Sequence, residues 1–302
     1  MCVDIFVKMT KADQQIDSVL AREADGTIQI TFKIPFAVIK SSKEEALAEL
    51  AHDTEIPGFR KGRAPITKVK ERISESTLIE KTLAKLLPKA LGDAITKFSI
   101  KPLIYPRFEL VSAKEDEDWQ IRATTCEMPE IKLGDYQNAI ASTAKVGSIW
   151  TPDKGKSEKP KEKTKEEKEQ EVIKVLISTS EVNVPRPLID EEVDTRLAGL
   201  LERTERLGLS LEKYLASIGK TPETLRGEYQ VQAREALKLD LVLSRIAEEK
   251  DIKVSETEID AALKENAADE KSFENLNTPE RRRLIASILK KRSALDSLTS
   301  LL

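Results

Sequence analysis

The sequence predicts an α+β domain over residues 1–130 followed by an all-α, multi-helix domain over residues 171–302. Three observations predict it. Apolar residues alternate at period two near the N-terminus and again after residue 107, the pattern of half-buried strands. Residues 151–163 hold nothing apolar to bury, so they cannot offset the entropy of ordering. They read as a solvated linker within a connecting segment, 131–170. From about Glu166 onward the period is helical and punctuated by capping signals.

The alternating sets are Val3, Ile5, Val7 and Met9, then Ile28, Ile30, Phe32 and Ile34, with the turn signal Asp25-Gly26 before the second. Over residues 36–53 the period becomes helical. Ala46, Leu47, Leu50 and Ala51 form a stripe, Ser41 or Ser42 is placed to cap it, and Glu44 and Glu45 fall in the first turn. After a loop at 55–65, helical pattern resumes through Ile66, Val69 and Ile73 to Phe98, where Pro88 is expected to kink or interrupt it. Strands are expected at 108–111 and 119–125, joined by an acidic turn at 114–118.

In the second half, a helix at about 188–207 carries Val193, Leu197, Leu200 and Leu201 and ends at Gly208. Ser210 caps a short helix that Gly219 ends. Thr221-Pro222-Glu223-Thr224 combines a capping threonine, proline at the first helical position and an acid. The helix it opens carries Leu225, Tyr229, Ala233, Leu237, Leu241 and Ile246. Ser255-Glu256-Thr257-Glu258 matches a capping box, and Thr278-Pro279-Glu280 opens the last helix.

Composition narrows the chemistry. A charged fraction of 34% with 4% aromatics suits long, solvent-washed helices better than a β-sandwich or an α/β enzyme. The net charge of −3 gives no overall bias toward nucleic acid, so an anionic partner has to be met by a local patch. One histidine, His52, excludes a site with two or more histidine ligands, and Cys2 and Cys126 lack ligand spacing. The two thiols read as reduced, and no glycine-rich phosphate loop is present. Carboxylates alternate with lysines on helix faces, as solvated helices require. No catalytic, cofactor or metal site is expected, nor a signal peptide or membrane span, and a cytoplasmic location follows.

One loop differs from its surroundings. Pro57-Gly58-Phe59-Arg60-Lys61-Gly62-Arg63-Ala64-Pro65 sets three cations and one aromatic between glycines that permit turns, and a proline that presets the next helix. A large ring at a polar loop tip suggests a partner pocket, and Lys68, Lys70 and Arg72 extend the basic character.

This string resembles the ribosome-binding signature of the bacterial trigger factor family, Gly-Phe-Arg-x-Gly-x-x-Pro, at Gly58, Phe59, Arg60, Gly62 and Pro65. Met128-Pro129-Glu130-Ile131-Lys132-Leu133-Gly134-Asp135-Tyr136 resembles the family's segment leaving the ribosome-binding domain. The run from Asn183 to Asp194 resembles the start of its helical arm. The resemblance covers about 25–136 and 168–265. It implies an elongated, ATP-independent chaperone with a helical C-terminal domain carrying arms. Arg60, Lys61 and Arg63 would meet ribosomal RNA or a tunnel-exit protein of the large subunit, and Phe59 would enter a pocket. Its implied clients are unfolded nascent polypeptides, with weak pairing of two copies off the ribosome. The family's FKBP-type prolyl isomerase domain, about a hundred residues, has no counterpart in the short Lys/Glu interval. Trp150 is the only aromatic between residues 137 and 170, so isomerase activity is not expected. A rival reading is an RNA- or ribosome-binding adaptor whose helical module binds protein without chaperone activity.

Overall fold

The computed structural model describes residues 16–53, 66–114, 116–146, 164–266 and 270–301. The chain divides into two compact units, Met1–Met128 and Pro129–Leu302.

The first unit is built on a four-stranded antiparallel sheet of order β1-β2-β4-β3. Its strands are β1 (Asp17–Arg22), β2 (Thr27–Ile34), β3 (Arg107–Ser112) and β4 (Trp119–Cys126). The Asp25-Gly26 signal makes the β1–β2 turn. Gly26 takes a positive φ of 90°, and Asp25 Oδ1 accepts from the Thr27 amide at 2.8 Å. Ile28, Ile30, Phe32 and Ile34 all face the core, almost wholly buried, as the alternation predicts. Opposite them on β4 stand Thr125, Ala123, Ile121 and Trp119. The partner of β2 on its other side, β1, was not anticipated, and Val3–Met9 lie outside the described residues.

Two helices cover this sheet: α1 (Phe36–Asp53) and α3 (Glu75–Phe98). Leu86, Leu87, Ala90, Leu91 and Ala94 of α3 meet the strand side chains in one cluster, which Ile39 of α1 joins. The short helix α2 (Ile66–Arg72) lies between them.

Two local expectations need correction. Helix α1 begins at Phe36, so Ser41 and Ser42 are interior positions, and the Ser41 hydroxyl donates to the Val38 carbonyl instead. The Phe36 amide donates to Asp118 Oδ1 at 3.0 Å, an acceptor supplied from the β3–β4 turn. The break in the second helical stretch falls at Ser74, which caps α3 by accepting from the Thr77 amide. Pro88 stays inside α3: the turns around it carry Leu86, Leu87, Ala90 and Leu91 into the core, and that burial outweighs one missing backbone donor.

The second unit opens with β5 (Ile131–Lys132), which pairs antiparallel with β6 (Glu181–Val182). Between them run α4 (Tyr136–Val146) and α5 (Lys165–Thr179). Residues 131–146, read from sequence as a connecting segment, belong to this unit's core. Tyr136 and Ile140 are buried with Val172 and Leu176 of α5. Of the apolar residues that follow Tyr136 in α4 only Ile140 is large enough to mark a helical stripe apart from the terminal Val146, so no period stands out against the adjoining polar run. Gly134 takes a φ of +62°, and a Cβ there would stand 2.5 Å from the Thr179 carbonyl oxygen, so glycine is required by backbone approach as well as conformation. The charged linker at 151–163 lies outside the described residues.

The remaining helices are α6 (Arg186–Arg206), α7 (Leu211–Ser217), α8 (Pro222–Glu249), α9 (Glu256–Glu265), α10 (Glu270–Leu276) and α11 (Pro279–Thr299). Ser210, Thr221, Ser255 and Thr278 cap α7, α8, α9 and α11 as the sequence indicates, with full capping boxes at Thr221 and Ser255. Gly208 and Gly219 take positive φ just past α6 and α7. Helix α10 was not anticipated. Helix α8, about 42 Å long at 1.5 Å per residue, serves two clusters. Its C-terminal half (Val242, Leu243, Ile246, Ala247) packs with α4, α5 and α11, and its N-terminal half packs on α6. Ile189 and Val193 meet Ala233 and Leu237, while Leu200 meets Leu225, so the two helices run antiparallel as a hairpin arm.

Asp118 joins α1 to the sheet, because its second oxygen pairs with Lys33 at 3.1 Å. The Phe36 amide first, and Lys33 second, hold its carboxyl below the ordinary value of 3.8. A depressed carboxylate stabilises the fold above its unfolded pKa, and the stabilisation disappears as pH falls through the folded value. Asp118→Ala, which removes the acceptor of the Phe36 amide as well as the charge, should cost the first unit roughly 1 kcal/mol near neutrality, the usual scale for a lost cap. It should also reduce the loss of stability below about pH 4. Denaturant titrations from pH 7 to 2, monitored through Trp119 fluorescence, check both.

Candidate functional site

The signature residues Gly58, Phe59, Arg60, Lys61, Gly62, Arg63 and Pro65 lie outside the described residues. The described structure defines what holds the two ends of that segment. Helix α1 delivers the chain at Asp53 and α2 receives it at Ile66. The two helices meet through a cluster of their own, in which Ala51 and Val69 are buried and Leu47 and Ile73 pack at the margin. On α2, Lys68, Lys70 and Arg72 are exposed around the fully buried Val69. The basic character of the loop therefore continues onto the helix surface.

Helix α1 is held in turn by α3. The Lys85 ammonium lies 2.7 Å from Glu49 Oε1 and 3.4 Å from Glu45 Oε2, bridging successive turns of α1. Hydrogen bonding to Glu49 leads the factors that raise its pKa. Neither Lys85 nor Asp118 was singled out in the sequence. Each acts across a long chain separation, which no local period or motif records.

The groups weighed for chemistry behave as structural ones. His52 is exposed in the last turn of α1 and already engaged by a neighbour. Cys126 is completely buried at the end of β4. Burial first, and the charge of Asp25 second, push its thiol up to about 11. It is a protonated, enclosed group at neutral pH and not a nucleophile. Among the described residues no cluster of His, Cys, Asp or Glu could hold a metal ion, and no helix is long and apolar enough to cross a membrane.

The second unit divides its leucines in a way helical periodicity does not. Leu200, Leu215 and Leu225 are buried in the arm, whereas Leu201, Leu207 and Leu209 are exposed, Leu207 to 75%. The three exposed leucines fall in the last two turns of α6 and in the turn to α7. On α11, Leu284 and Ile288 are exposed one turn apart. In the same helix Arg282 pairs with Glu256 and Asp260, and Lys291 with Asp240, so part of its basic character ties α11 to α9 and α8.

The family model described as bacterial trigger factor protein matches residues 18–149, and that of the bacterial trigger factor C-terminus matches residues 154–300. The chain belongs to the trigger factor family. The match extends well beyond residue 265, where the visible resemblance stopped, because α11 contributes core residues such as Ala294 and Leu298 without a distinctive motif. Among curated relatives, the trigger factor of Streptococcus agalactiae serotype Ia is 35% identical over 109 residues, 36% of this chain and 26% of that protein. That of Streptococcus mutans serotype c is 34% identical over 113 residues, 37% and 26% respectively. That of Streptococcus pyogenes serotype M4 is 29% identical over 139 residues, 46% and 30%. The aligned part of the chain thus spans about a quarter of the length of these relatives. A solved trigger factor chaperone, studied for promiscuous substrate recognition in folding and assembly activities, superposes with a TM-score of 0.59 at 14% identity. It covers 94% of this chain and 99% of the other, a likeness of fold.

The enclosure of Cys126 predicts its reactivity. In the native protein it should resist a thiol reagent such as DTNB at pH 8 and react promptly once denaturant exposes it. Immediate native labelling of Cys126, located by peptide mass mapping, would contradict the described burial.

Proposed function

We propose that this trigger factor family member is an ATP-independent chaperone of the cytoplasm. It docks on the large ribosomal subunit near the tunnel exit and shelters emerging polypeptides. The observation that carries the reading is the α1–α2 hairpin: its ends bracket Gly58-Phe59-Arg60-Lys61-Gly62-Arg63-Ala64-Pro65 and prolong that segment's positive charge. Arg60, Lys61 and Arg63 supply salt-sensitive attraction to RNA phosphates or acidic side chains, and Phe59 supplies a desolvated anchor. Leu201, Leu207 and Leu209 offer exposed apolar surface for transient contact with unfolded chain. Without a nucleotide step, release follows from weak binding and from folding of the client.

Prolyl isomerisation forms no part of this reading. The two family matches leave only residues 150–153 between them, where an FKBP-type domain needs about a hundred. Weak self-association off the ribosome belongs to the proposal through family membership alone.

Phe59→Ala and Arg60→Ala should each weaken cosedimentation with ribosomes about tenfold or more, the scale of a lost interface anchor, with circular dichroism unchanged. Arg60→Ala should also flatten the salt dependence. Unaltered sedimentation of the double variant would overturn the docking assignment.

The purified chain should suppress aggregation of a denatured client near stoichiometric ratios without ATP. A combined Leu201→Ser, Leu207→Ser and Leu209→Ser variant should do so less well. Cis/trans exchange in a short proline peptide should stay at its uncatalysed rate, tens of seconds at 25 °C. Ribosome binding without suppression at any ratio would mark an adaptor, and accelerated exchange would overturn the assignment of the interval.

A further inference from the structure

We infer that Val69 and Ala51 are positioning residues for ribosome docking: they clamp α2 onto α1 and so set the separation and direction of the chain ends at Asp53 and Ile66. The inference rests on the proposed docking role of residues 58–65 but concerns residues outside that signature.

The two side chains occupy a place of their own in the unit. The main core gathers the sheet, α3 and the first half of α1, with Ile39 as the buried contribution of α1. Ala51 and Val69 belong to a separate cluster with Leu47 and Ile73, and that cluster contains no sheet residue. Val69 is 0% exposed and Ala51 9%, so the contact excludes water despite its size. In that contact Ala51 is the small partner and the branched Val69 the larger one. On the side away from Asp53 and Ile66, a cleft of about 530 Å³ opens between α1, the end of α2 and the start of α3. Phe36, Lys40, Leu47, Ile73 and Leu78 line it, so α2 has open space there instead of packed neighbours. Helix α1 itself is secured independently, by Asp118 at its first residue and by Lys85 at Glu45 and Glu49. Helix α2 has seven residues, too few to persist without tertiary support. Among the described side chains, α2 is held to α1 by the Ala51–Val69 contact, with Leu47 and Ile73 at its margin.

The consequence is energetic preorganisation. With the clamp formed, the docking segment spans two fixed ends and binding pays little to order them. With the clamp loosened, the same cations and the same ring remain, but ordering α2 is charged against affinity. Affinity should fall while the number of ionic contacts, and hence the salt slope, stays as it was.

The test uses the full chain. Val69→Ala should weaken ribosome binding roughly five- to tenfold, an ordering cost on the scale of one or two immobilised side chains, with an unchanged slope of log affinity against log salt. Hydrogen exchange at the amides of residues 69–73 should accelerate, while β2 and β4 keep their protection. The double variant Val69→Ala/Ala51→Val, which returns the lost volume from the opposite helix, should recover most of the affinity. Full affinity in Val69→Ala, or a loss of protection spreading evenly through β2 and β4, would overturn the inference. If the unmodified protein fails to bind ribosomes, the docking reading fails, and unaltered exchange at residues 69–73 in Val69→Ala then disposes of the clamp separately.

Discussion

The antiparallel pairing of β2 with β4 is the contact on which the first unit depends. It joins Thr27 to Cys126 and Ile34 to Trp119, closing a loop of the chain that contains α1, α2, α3 and β3. The entropy of that closure is offset by one sheet face, where Phe32 stands opposite Ile121 and Ile30 opposite Ala123 under the leucines of α3. Once the ladder has formed, the β3–β4 turn lies beside the end of β2, and Asp118 is in reach of both Lys33 and the first amide of α1. The register of two strands thus decides where a helix starts. Through that helix it decides where the chain stands at Asp53.

Helix α8 has the corresponding role in the second unit. A single element carries the core against α4, α5 and α11 at one end and the hairpin arm with α6 at the other. The small β5–β6 clasp and the tight approach of Gly134 to Thr179 tie residues 131–146 into that core. The surface is held together by pairs such as Lys165–Asp296 and Arg226–Asp194, which are half exposed and individually weak. A core confined to a few helix faces and a skin of alternating charge leave apolar side chains uncovered at the arm's turn. Such a surface suits the proposed chaperone role, in which contacts with the client are loose and repeated.

Much of this was legible because it is local. Two-residue alternation marked β2 and β4, and the capping boxes at Thr221 and Ser255 marked helix starts to the residue. The string from Gly58 to Pro65 marked the family. What escaped was weakly periodic or distant. Among its described side chains helix α4 buries Tyr136 and Ile140 in the core, and α10 is a single short helix beside a polar run. Ser41 and Ser42 had the right chemistry for a cap, but helix α1 already had its acceptor in a residue 82 positions away.

By itself the sequence determined the class of each domain, the absence of familiar catalytic motifs and the segment that names the family. Each is written in neighbouring side chains: a period, a cap, a charge run. Tertiary structure alone decided that Leu200 is core and Leu201 surface, that Asp118 begins α1, and that Val69 meets Ala51. The reason is that burial is a property of what lies across a contact, and a helical stripe states only that some partner is needed. Which partner arrives is set by strand register and helix packing, and these depend on residues far apart in the chain.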